Sequence, residues 1–140
     1  MSADLKSMCK VLRLAYVHDT YEDIPYQNTT QFLEDLFQKE LQLREEAKAE
    51  RLIKKAKFLH KKSLASFLWN EKIHVPSHTT PEEICTLEFI QRKENIILTG
   101  APGTGKTHLA TGLGLEACKK GLEVRFYRVS DLAEILEKAW

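Results

Sequence analysis

The run Gly100-Ala101-Pro102-Gly103-Thr104-Gly105-Lys106-Thr107 limits most strongly what this chain can become. Its three glycines open backbone torsions that a β-carbon would close. The run can therefore wrap with its N–H groups turned inward, as a cup for anionic oxygens. It satisfies G-x-x-x-x-G-K-[ST] at every fixed position, a pattern that carries weight when it lies between a strand and a helix. Both neighbours are predicted. Asn95 to Thr99 is a short, β-branched, non-alternating run, which predicts a strand buried on both faces of a parallel sheet. After the loop, Leu109, Ala110, Leu113, Gly114 and Ala117 share one helical face. Lys119, Lys120 and Gly121 then supply a dipole-compatible, left-handed ending.

The predicted ligands are a nucleoside triphosphate and Mg²⁺, and the predicted site is Gly100, Ala101, Pro102, Gly103, Thr104, Gly105, Lys106, Thr107 and His108. Lys106 would place its ammonium on the β and γ phosphates, Thr107 would offer its hydroxyl to Mg²⁺, and His108 borders the nucleotide. Binding is not hydrolysis, since phosphoryl transfer also needs a carboxylate near the metal and a group that orients water. The stretch after Thr107 holds no hydrophobic strand ending in Asp or Asp-Glu. Asp131 follows a second predicted strand, Glu123 to Val129, but with Ser130 it reads as the start of a last helix carrying Leu132, Ile135 and Leu136. Leu14 to Asp19 has the look of such a strand, yet it lies far upstream and has helical periodicity. No catalytic residue is assigned, and whether the chain is an enzyme stays open.

Upstream of the loop the pattern is helical. Leu5, Met8, Leu12 and Ala15 predict a helix over Leu5 to Tyr16. Asn28 and Gln31 form a capping-box pattern ahead of Phe32, Leu33, Leu36, Phe37 and Leu41. With no glycine or proline from Asn28 to Val75, that helix is expected to run towards Lys62, with a break or bend within it. His74 to Thr80 reads as a linker. Thr80-Pro81-Glu82-Glu83 then starts a helix to about Arg92, with threonine as cap and proline in the first turn.

Charge is segregated along the chain although the net charge is only +1. Arg51 to Lys62 holds six cations and no acid, whereas Gln31 to Glu50 holds six acids against three cations. On an unbroken helix Arg44, Lys48, Arg51, Lys55 and Lys62 would fall in one stripe, spaced to meet successive phosphates of DNA, with Phe58 at its border. Two readings stay open, a DNA contact or a solvated face partly paired with Glu46 and Glu50. The three cysteines Cys9, Cys85 and Cys118 have no C-x-x-C spacing and read as packing residues. The five histidines show no metal-ligand spacing. No apolar run approaches the ~18 residues of a membrane span, and the N-terminus lacks the layout of a secretion signal. No membrane association and a cytoplasmic location are the default expectation.

Gly103-Thr-Gly-Lys-Thr-His-Leu-Ala110, with Leu87-Glu-Phe-Ile90 and Asn95-Ile-Ile-Leu98 before it and Val124-Arg-Phe-Tyr-Arg-Val-Ser-Asp-Leu132 after it, resembles the IstB family of transposition helper ATPases. The helicase loader DnaC is a relative of that family. Leu41 to Lys57, Phe58, Lys62-Ser-Leu64 and Phe67 are similar to the stretch preceding the family's ATPase core. Leu59 stands where the family commonly has proline, and Ala65, Ser66 and Leu68 where acidic residues are usual. The resemblance covers about the first half of a typical member. It implies an α/β fold class: a helical N-terminal region (1–73), a linker and helix (74–94), and the truncated start of an AAA+ P-loop αβα core (95–140). It further implies ATP binding and action on DNA with a transposase, and a homo-oligomer if a longer form exists. A DnaC-like loader that binds a replicative helicase is the competing reading. A truncated remnant serving as an interaction module is another.

Overall fold

Helices begin where a side chain can take up a free backbone N–H. The computed structural model describes residues 4–140. Asp4 Oδ1 accepts from the Ser7 amide at 2.7 Å and starts α1 (Leu5–Val11). This bond holds the Asp4 carboxyl below the usual carboxylate range. The helix stops short of the expected Tyr16 because Arg13 turns left-handed (φ 55°), and the Leu14 amide folds back onto the Cys9 carbonyl. A short α2 (Val17–Thr20) and a 3₁₀ turn (Tyr21–Asp23) follow. Asn28 Oδ1 accepts from the Gln31 amide at 2.9 Å, as its capping pattern requires, and α3 runs from Thr29 to Ala56. It ends at Lys57, again left-handed (φ 59°), so the helix does not reach Lys62.

Two compact units part inside α3, between Ala49 and Glu50. The first closes over Cys9, Val17 and Leu36, with Leu14, Tyr21, Ile24 and Phe32 packed against them. The second closes over Leu87, Leu109, Leu113 and Ala117 and draws in Leu64, Phe67, Trp69, Ile84, Phe89, Ile96, Leu98 and Val124. In this second unit Thr80 Oγ1 caps α4 (Pro81–Cys85), taking the Glu83 amide at 3.2 Å. The single helix expected to Arg92 is broken at Leu87 (φ 64°), where α5 (Glu88–Gln91) begins anew. Leu87 is buried, so its side chain gains a core position from the break. The loop helix α6 (Lys106–Lys119) ends at Gly121 (φ 79°), and α7 (Val129–Lys138) follows. Arg128, not Ser130, occupies the cap position of α7, and no side chain caps it.

The expected strands are corrected. Among the described residues no strand forms, and Asn95–Thr99 and Glu123–Arg128 run without a ladder. A strand exists only with a paired neighbour, and these two segments do not pair with each other. Ile96 and Leu98 pack on the core while Ile97 is 86% exposed, so one apolar face of the first segment is covered and the other is bare. The second segment is tied to the end of α3 instead. The Phe126 amide donates to the Ala56 carbonyl at 2.9 Å, and Lys55 lies 3.2 Å from Glu123. Hydrogen bonding and charge from Lys55, with Arg125 beside it, hold the Glu123 carboxyl below its ordinary range. Cys9 and Cys118 are buried and Cys85 is half-buried, in keeping with packing roles. Burial pushes the thiols of Cys85 and Cys118 up.

Candidate nucleotide site

Gly103 (φ 80°) and Gly105 (φ 93°) take left-handed torsions that favour glycine and turn the loop into the helix that follows. At Gly105 a second demand is added, because a β-carbon there would meet the Phe67 ring at 3.1 Å. Gly105 is also the N-cap of α6, whose first turn brings Lys106, Thr107 and His108 to the loop. Thr104 Oγ1 donates to the Ala101 carbonyl at 2.8 Å. Lys106 Nζ donates to the carbonyls of Gly100 at 2.6 Å and Ala101 at 2.8 Å, so it ties the start of α6 back to the first residues of the loop.

Pro102 to His108 line one cavity of about 400 Å³, and Lys62 lines it with them. That volume lies within the range of small-ligand sites, roughly 300–1,000 Å³. The donor set fits a polyphosphate: backbone amides at a helix start, one ammonium in the loop and the positive end of α6. Thr107 is exposed at the first turn of α6, a position from which a hydroxyl can reach a hard cation such as Mg²⁺. Among the described residues no group of three or more His, Cys, Asp or Glu could hold a metal by itself. A neighbouring apolar recess is lined by Trp69, Ile73, His74, Phe89, Ile96 and Leu98 among others.

Sequence reasoning assigned His108 to the border of the site and missed what holds it there. Its Nε2 lies 2.9 Å from the Ser63 carbonyl and 3.1 Å from Ser66 Oγ. A carbonyl only accepts, so Nε2 carries the proton. The Phe67 ring stands edge-on to the imidazole at 5.3 Å. A segment upstream of the linker thus lies against the loop helix. The signal for it in the sequence is the unusual pair of glycines inside α6. A β-carbon on Gly112 would meet Leu64 at 2.9 Å, and one on Gly114 would meet Phe58 at 2.8 Å.

The residues of the basic stripe have separate surroundings. Arg44 pairs with Glu40 at 2.9 Å and also donates to the Arg13 carbonyl. Lys55 pairs with Glu123, and Lys62 borders the loop cavity. Lys48 and Arg51 are exposed on α3 and have no carboxylate within 4.0 Å among the described residues. No helix among the described residues is long and apolar enough to cross a membrane.

Comparison with known proteins bears on this geometry. The family described as IstB-like ATP binding protein matches residues 4–140. A protein of Geobacillus stearothermophilus, named as an ATP-binding protein of insertion sequence IS5376, is 36% identical over 110 residues. That match covers 79% of this chain and 43% of the relative. Its counterpart in insertion sequence IS232 of Bacillus thuringiensis is 31% identical over 120 residues, covering 84% of this chain and 48% of that protein. The counterpart in insertion sequence IS21 of Pseudomonas aeruginosa reaches 47% identity over 57 residues, covering 41% of this chain and 22% of its own length. The chain therefore spans less than half the length of these three relatives.

Proposed function

The chain belongs to the IstB-like ATP-binding family, and from that membership we propose that it binds ATP with Mg²⁺ at Gly100 to His108 and serves DNA transposition together with a transposase. The observation that carries the first part is that the glycine-bounded loop, Lys106 and the start of α6 line one cavity. Backbone amides and the helix end would hold the phosphates, and Lys106 would exchange its two carbonyl partners for phosphate oxygens. Thr107 would hold Mg²⁺, which when bound neutralises charge on the β and γ phosphates. The αβα core belongs to the same proposal. Segments 95–99 and 123–129 would become sheet strands in a longer protein whose further strands pair with them.

Action on DNA is supported by the relatives' place in insertion sequences and by the exposed cations Lys48 and Arg51. Calorimetric titration with ATP and Mg²⁺, paired with a duplex-binding assay across a salt series, tests both parts. ATP should bind, and Lys106→Ala should weaken it by about tenfold or more, as expected for a lost charge-assisted contact. Duplex affinity should fall steeply with salt. A protein that takes up no ATP at millimolar concentration sinks the nucleotide reading, and one that ignores DNA at low salt sinks the other.

A further inference from the structure

Two lysines line the loop cavity, and only one of them belongs to the glycine-rich motif. The other is Lys62, brought in from the segment between α3 and the linker. On an unbroken helix Lys62 would have continued the stripe of Arg51 and Lys55. The left-handed turn at Lys57 ends that helix and sends the following residues across α6. Anchors on both sides of Lys62 fix its course. Before it, Phe58 seats over Gly114. After it, Leu64 seats over Gly112, the Ser63 carbonyl accepts from His108, and Phe67 covers Gly105. Two of these contacts, at Gly105 and His108, fall on the motif or on the turn of α6 that follows it.

Lys62 is exposed and lies where positive charge already collects. Lys62 has no carboxylate within 4.0 Å among the described residues, and the cavity it lines already contains Lys106 and the positive end of α6. A packing role does not require the charge, since the anchoring is done by Phe58, Ser63, Leu64 and Phe67. A cation held among other donors of positive potential is favourable when a polyanion sits between them.

We propose that Lys62 is a phosphate ligand of the bound nucleotide, reaching its phosphate chain from outside the glycine-rich loop. This rests on the nucleotide-binding reading above and adds a contact that the motif does not contain. Because Lys62 lies between anchors on α6, its contact also ties the course of residues 58–67 to the occupancy of the loop.

The test is titration of ATP with Mg²⁺ into the wild-type chain and into Lys62→Ala, Lys62→Arg, Lys61→Ala and Lys106→Ala, with circular dichroism to establish that each variant is folded. Lys62→Ala should weaken ATP binding about tenfold, Lys62→Arg should restore most of the affinity, and Lys61→Ala should bind as the wild type does. Wild-type affinity in Lys62→Ala, with binding lost in Lys106→Ala, would overturn the role of Lys62 and leave the nucleotide reading standing. Equal weakening in Lys62→Arg and Lys62→Ala would overturn it as well, since a retained charge should rescue a phosphate contact. So would loss of duplex affinity in Lys62→Ala with ATP affinity intact, which assigns the lysine to DNA. No ATP binding by the wild type removes both readings together.

Discussion

Glu40 is a carboxylate 3% exposed in the first unit, and its two oxygens are fully used. They accept the amides of Ala15 and Tyr16, each at 2.7 Å, and the guanidinium of Arg44. The two amides lie just ahead of α2, where backbone N–H groups have no helical partner, so Glu40 acts as a cap reaching across from α3. Arg44 is thereby drawn into an ion pair that its place in a basic stripe did not foretell. Truncating the carboxylate would leave part-buried donors unpaired. Glu40→Ala is expected to destabilise the chain by about 2–3 kcal/mol, read as a lower urea midpoint by circular dichroism. A midpoint matching the wild type would mean water satisfies those amides unaided.

At the scale of the element, α6 is notable for what its glycines admit. In a solvent-facing helix a Gly→Ala change stabilises by about 1 kcal/mol. Gly112 is buried, and its missing β-carbon is the space occupied by Leu64, including the Leu64 backbone nitrogen at 3.0 Å. Backbone cannot swing aside as a side-chain tip can. Gly112→Ala is therefore expected to destabilise by about 1–3 kcal/mol in spite of its better helix propensity. The sign of the change in melting temperature decides the matter, and a rise would show that the 58–67 segment does not press on α6 in solution. The same element accounts for a half-correct expectation. Leu109, Leu113 and Ala117 are buried as their periodicity requires, while Ala110 is exposed. Thr111, Gly112, Leu115 and Cys118 are buried too, so α6 is covered on more than one side.

At the scale of the whole molecule, apolar side chains are left exposed along α7 and at Ile97. Every residue of α7 is exposed, and Leu132, Ile135 and Leu136 range from 38% to 54%. Ile97 is at 86% and Trp140 is fully open. Exposed apolar surface binds hydrophobic dyes. The purified 140-residue chain should enhance the fluorescence of anilinonaphthalene sulfonate, and the double change Ile135→Ser with Leu136→Ser should reduce that signal. Neither side chain packs on the core of the second unit, so the helical content of that unit should survive. An unchanged signal would place the dye site elsewhere.

What the residues settled unaided is local. The loop torsions follow from glycine, and the starts of α3 and α4 follow from Asn28 and Thr80, since cap and turn chemistry acts over three or four residues. The family was also legible, because its motif is contiguous in the chain. Tertiary packing decided the rest. It ended helices at Arg13, Lys57 and Leu87, none of them a glycine or proline, where burial of a neighbour or of the residue itself outweighed a left-handed torsion. It also laid residues 58–67 on α6 and brought Lys62 to the loop cavity, through contacts between residues dozens of positions apart that no periodicity records. Strand formation belongs to the same class, because a ladder is a property of two segments and one segment's composition cannot supply the other.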